Sequence, residues 1–133
     1  MNTKTACLII GIIFLAVGIM GFVANPVIGD SMDAIFHADP VHNSVHIISG
    51  VLFLIFALAA PSRAGFFLKL FGVVYFLLGI VGVATIGDSG MTTILGFLHV
   101  NGADNYLHIV LGLVIFLAGL LPQATPATFS ARE

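Results

Sequence analysis

Charge is what this chain has least of. Asp, Glu, Lys and Arg make up 8% of its 133 residues, against about 25% in an ordinary soluble domain. So few charges cannot cover a globular surface in water, and a soluble fold is excluded. Four basic and six acidic residues leave a net charge of −2, which excludes the basic face that nucleic acid requires. The single cysteine, Cys7, excludes an internal disulfide and a CxxC redox pair. Tryptophan is absent, so anchoring at a membrane boundary falls to Tyr75, Tyr106 or the phenylalanines. The sequence carries no GxSxG, no P-loop and no HExxH. No acid or lysine sits mid-run, so a proton- or ion-coupled carrier would lack its coupling group.

Apolar residues are abundant instead: 59% of the chain, with a mean hydropathy of +1.18. They gather in four runs, roughly 6–24, 41–60, 66–86 and 104–121. A helix of about 20 residues crosses a hydrocarbon core of ~30 Å, and each run is close to that length. The separators "NPVIGDSMD", "PSR", "IGDSG" and "LPQATP" carry the helix breakers. The expected fold is an all-α membrane domain, a bundle of four transmembrane helices, with a short cytoplasmic tail at 122–133. The first run follows Lys4 as a signal peptide would. The triplet "FVA" puts bulky Phe22 where cleavage needs a small residue, so the run is read as a retained helix. Segments 25–36 and 87–98 are expected to form short interfacial helices at "MDAIF" and "MTTILGF".

Lys4, Arg63, Lys69 and Arg132 fall on one side of the expected membrane. Asp30, Asp33, Asp39, Asp88 and Asp104 fall on the other. The positive-inside rule then places both termini in the cytoplasm, with a bacterial inner membrane as the expected setting.

The sequence also repeats itself. "IGIIFLAVGIMG" (10–21) aligns with "FGVVYFLLGIVG" (71–82), glycine on glycine. "HADPVHNSVHIISGVLFLIFAL" (37–58) aligns with "HVNGADNYLHIVLGLVIFLAGL" (99–120). The units span about 6–60 and 66–121. Each holds two crossings, so the two hairpins are expected to lie parallel about an axis along the membrane normal. Gly65, Gly72 and Gly79 recur every seven residues, as a helix face packed on a neighbour does.

The alignment pairs His37 with His99, His42 with Asp104, Asn43 with Asn105 and His46 with His108. Asp39–Pro40 reads as a helix cap followed by a first-turn proline, and Asn101 takes the cap position in the second unit. His42 and His46 are four apart and share a helix face, as do Asp104 and His108. Symmetry would bring His42, His46, Asp104 and His108 together on the outer side. Three imidazoles and a carboxylate suit zinc or another divalent transition metal, and neutral imidazole is the form a metal needs. Polar groups near the boundary more often serve as hydrogen-bonded staples between helices. On that reading His42, His46, Asp104 and His108, with Asn43, Asn105, His37 and His99, form a structural cluster joining helices two and four. A bis-histidine haem on His46 and His108 stands behind a simple ion, because the first-turn position is shallow. Ser44 lies on another face, so a nucleophile–base pair is not supported.

The pieces "HNSVHIISG" and "GADNYLHIVLG", joined by the glycine-rich "FGVVYFLLGIVG", resemble an uncharacterised family of small bacterial membrane proteins with HN-x2-H and DN-x-LH motifs. The resemblance covers roughly residues 6–121 and implies a four-crossing fold, with no activity attached. The expected role is a non-enzymatic accessory or structural membrane component, alone, as a homo-oligomer or within a larger complex. A metal- or haem-binding membrane protein is the rival reading, and an enzyme the least supported.

Overall fold

The computed structural model describes residues 1–31, 33–87 and 89–123. Asp88, Arg132 and the tail from 124 lie outside the described residues. The chain is mostly helical, as an all-α membrane protein should be. Helix α1 spans Thr3–Met20, α2 Pro40–Ala59, α3 Ala64–Thr85 and α4 Gly102–Ala118. Three segments are long and apolar enough to cross a membrane: Thr3–Met20, Pro40–Ala59 and Pro61–Thr85. Helix α4 is shorter, at 17 residues.

Local chemistry sets the helix starts. The Asn2 side chain accepts from the Thr5 N–H at 3.0 Å. Asp39 accepts from the His42 N–H at 2.8 Å, ahead of Pro40 at the first helical position. Asn101 accepts from the Asp104 N–H at 3.0 Å, and Asp104 Oδ2 accepts the Asn101 N–H at 3.1 Å. That reciprocal box satisfies two donors that a helix start leaves open.

The helices pair as α1 with α2 and α3 with α4, and glycine lets the backbones meet. A Cβ on Gly11 would come within 3.1 Å of the Gly50 carbonyl, and one on Gly72 would press on the Phe116 backbone. Gly18 faces Asn43 and Ile47, while Gly79 faces Asn105 and Ile109. Gly21 leaves room only for the Asn43 side chain, and Gly82 only for that of Asn105. Without a hydrophobic force between helices in lipid, close backbone approach supplies the dispersion contact that holds such pairs.

The pairs sit against one another through Phe14, Phe53, Phe67, Leu68, Tyr75 and Ile115. Phe67 stacks on Phe56 at 4.0 Å and meets Phe53 edge-on at 5.0 Å. The Cys7 thiol is buried and donates to the Phe53 carbonyl at 3.2 Å. The Thr3 N–H donates to the Pro122 carbonyl at 3.0 Å, and Gly65 lies beside Thr3. Lys4, Arg63 and Lys69 therefore gather at one end of the molecule. The starts of α2 and α4 lie at the other.

At that second end the expected interfacial helices are replaced by strands. Strand β1 (Ile28–Gly29) pairs in parallel with β2 (Phe36–His37). Strand β3 (Met91–Ile94) pairs antiparallel with β4 (Leu98–Asn101). In the second segment the β-branched "TTI" favours extension. Leu95 and Gly96, at φ 55° and 79°, turn the chain where a helix would have continued. In the first, Asn25 organises the loop: its amide donates to the carbonyls of Met20, Val23 and Ile28 and accepts from the N–H groups of Val27 and Ile28.

Candidate metal centre

Two caps place the site. With α2 started at Asp39, His42 and His46 fall one turn apart on a single inward face. With α4 started at Asn101, His108 falls on the facing side. His42, His46 and His108 each offer one ligand atom, all within 4.8 Å of one another. Ring centroids lie 4.8 Å apart for His42 and His46, 5.5 Å for His42 and His108, and 6.2 Å for His46 and His108. All three are buried, at 3%, 8% and 5% exposure.

The nitrogens are unequally engaged. His42 Nδ1–H donates to the His99 carbonyl at 3.3 Å. That fixes the tautomer and leaves Nε2 with its lone pair, the state in which a ligating histidine is usually held. His46 Nε2 and His108 Nδ1 are buried and have no hydrogen-bond partner. An orphaned buried polar atom costs about 1–3 kcal/mol. Two in one cluster call for a compensating partner, and none of the described residues provides one.

The aligned residue Asp104 stands differently from its histidine counterpart. Its Oδ2 is drawn back into the cap of α4. The structure thus gathers three of the four expected ligands and leaves the carboxylate at the edge of the group. Asn43 and Asn105 are buried against Gly21 and Gly82, where they lock each hairpin. The Asn43 amide donates to the Ala38 carbonyl at 3.0 Å. His37 lies 3.7 Å from Asp30. His99 stands at the surface, with Nδ1–H donating to Asp39 Oδ2 at 2.6 Å. Burial alone would raise the Asp39 pKa, but the His42 backbone N–H and the His99 ring hold it below the usual carboxylate range.

Three neighbours were not singled out from sequence as part of the site. Tyr75, a candidate boundary anchor, is instead buried at 3% exposure, while Tyr106 is 65% exposed. The Tyr75 and Ser49 hydroxyls share a hydrogen bond of 3.0 Å, and the Tyr75 ring lies 5.6 Å from His108. Phe14, aligned with Tyr75, meets it edge-on at 5.1 Å and packs 5.4 Å from His46. The signal available was the alignment itself: a hydroxyl added to Phe14's partner, and Ser49 set opposite Leu111.

Two cavities flank the triad. One, between α1 and α4, measures about 200 Å³ and is lined by Val17, Leu107 and Leu111 together with His42, His46, Asp104 and His108. The other, between α2 and α3, measures about 20 Å³ and is closed by Ile94, Leu98 and Val100.

No curated protein and no solved structure matches the chain. The model of one family, the domain of unknown function DUF4383, matches residues 4–121. With nearly its whole length so matched, the chain belongs to the DUF4383 family.

Proposed function

We propose that this is a metal-binding integral membrane protein whose His42, His46 and His108 hold a divalent transition ion on the outer side of a bacterial inner membrane. One observation carries the reading: three buried imidazoles converge within 4.8 Å, and two of them present nitrogens that nothing in the described chain satisfies. Nitrogens bound to one zinc lie roughly 3.3 Å apart, given Zn–N bonds of about 2.0–2.1 Å and tetrahedral angles. Small χ rotations close the remaining gap. Three histidines leave a fourth position for water or for Asp104, which lines the same cavity.

The frame is a four-crossing bundle of two parallel hairpin repeats. Gly11 against Gly50 and Gly72 against Gly112 are aligned contacts, as are Asn43 on Gly21 and Asn105 on Gly82. Helix α4, at 17 residues, is about 26 Å long at 1.5 Å per residue, within the range that spans with modest bilayer adjustment. The basic end faces the cytoplasm.

A second reading, a structural accessory component, is favoured by the Asp39–His99 pair and by the Asn101 amide donating to the Ile35 carbonyl at 3.0 Å. Those bonds tie the strand pairs to the helices without involving a metal. They do not account for the orphaned nitrogens of His46 and His108.

The deciding measurement is metal content after loading purified protein with Zn(II) or Co(II) and removing excess. About one ion per chain is expected. His46→Ala and His108→Ala should each weaken binding by more than about a hundredfold, the upper range for loss of an outer-shell partner alone. Unchanged metal content in the double variant sinks the metal reading and leaves the structural one.

A further inference from the structure

The two crevices beside the triad should be alike. The alignment pairs Val17 with Leu78, Leu107 with Val45, and Ala38 with Val100. These are the residues that line the α1/α4 cavity and the α2/α3 cavity respectively. On the α2/α3 side the antiparallel hairpin brings in Ile94 and Leu98, leaving about 20 Å³, room for about one water. On the α1/α4 side the parallel strand pair brings in no such tongue among the described residues. Phe36 and Ile28 roof a space of about 200 Å³.

That space has an apolar body and a polar head. Val17, Leu107 and Leu111 form the walls, and the three imidazoles with Asp104 form the inner end. His46 and His108 are each more than nine-tenths buried, and the unpartnered nitrogens belong to these two lining residues. A dry apolar cavity of about 150 Å³ is enough to take a benzene ring. Leu107 is 39% exposed at the rim, so the crevice borders the lipid.

Resting on the metal reading, we infer that the α1/α4 crevice binds a small neutral molecule, an aromatic head on an apolar body no larger than one further ring, from the outer leaflet. A single lone-pair donor on that head reaches the fourth position of the triad-bound ion. The class is an azole or phenol head on an apolar body. A larger ring system exceeds the volume, and a charged body has nothing along the walls to pair with. Val17, whose counterpart is the larger Leu78, adds to the width that the missing tongue leaves.

The test uses the full chain in phospholipid nanodiscs loaded with Co(II), with the visible cobalt bands as readout. 4-Phenylimidazole should perturb the bands about tenfold or more tighter than imidazole, because its phenyl ring is buried. Val17→Phe should abolish that preference while cobalt stays bound. Leu111→Phe, from the facing helix, serves if Val17→Phe does not load cobalt. Bound cobalt with no preference for the phenyl compound overturns the crevice and spares the metal site. A preference that survives both fillings places the ring elsewhere and also overturns it. Failure of the unmutated chain to bind cobalt overturns both.

Discussion

In the α1–α2 hairpin the cap of α2 is an aspartate, with Oδ1 on its own helix and Oδ2 on His99 across the molecule. In the α3–α4 hairpin the cap of α4 is an asparagine, and the acid has moved into the first turn, where it answers in a capping box. Both hairpins close on aligned glycines and bury an aligned asparagine. They differ where chemistry sits: His42 against Asp104, Ser49 against Leu111, Phe14 against Tyr75. The lesson is a separation of tasks. Backbone contact holds the frame in both halves, so the polar positions of each half are free to diverge. The result is a lopsided centre, with two imidazoles from the first hairpin and one from the second, and a cavity of about 200 Å³ on one flank against about 20 Å³ on the other.

The sharpest way to break that comparison is to remove the tongue that closes the α2/α3 side. Ile94 is 3% exposed, and Ile94→Ala should cost about 2–5 kcal/mol as a core truncation. It should also open a second crevice for 4-phenylimidazole. A thermal melt in nanodiscs reads the first effect and the cobalt titration the second. A variant as stable as the parent would show that the hairpin does not seal that flank.

Next in size are the glycine contacts. Gly50→Val and Gly112→Val each force a side chain into the partner helix and should cost about 1–3 kcal/mol as overpacking. Gly112 should cost more, because its added carbon meets the Phe76 backbone, while that of Gly50 also meets the movable Leu15 side chain. Equal melts for the two would deny the difference between the hairpins at this level.

The smallest effect lies in the caps. Asp39→Ala loses a helix cap worth about 1 kcal/mol, whereas His99→Ala removes only a surface partner worth up to about 1 kcal/mol and keeps the carbonyl that holds His42. The acid limb gives the sign. The folded-state pKa of Asp39 lies below its ordinary value of 3.8. Its contribution is therefore complete above that value and is lost as pH falls through the lowered one. Melts of Asp39→Asn should lose less stability on acidification than the parent. An identical acid limb in both would remove Asp39 from the account.

Much of the frame was legible because lipid allows few solutions. Four apolar runs, a Pro after Asp39 and glycines in step are enough to mark where helices start and which faces meet. The His42–His46 face follows from spacing, and His108 joins it only through the repeat. Asp104 carries two uses at once, lining the histidine cavity while its Oδ2 serves the cap of α4. The Asn101-x-x-Asp104 spacing that makes the capping box was present in the sequence and marks the second use. Tyr75 could not be ranked as buried from a run that is apolar on every face. The strand pairs were missed because "MTTILGF" is short enough to serve either conformation. The tertiary surface of Val45 and Leu78, against which Ile94 packs, decides between them. The inequality of the two crevices depends on those loops and so could not be foreseen.

The hydrogen bond from Thr3 to Pro122 sets the start of α1 against the segment that leaves α4, beside the Pro61–Arg63 turn that links the halves. A gene rewired to begin at Ala64, run through the second hairpin, and continue into Met1 would encode the same neighbours in exchanged order. Such a rearranged protein should assemble, since Thr3 and Pro122 already touch and cutting an exposed turn disturbs little of the packed interior. It would order the three clustered histidines as His108, His42, His46.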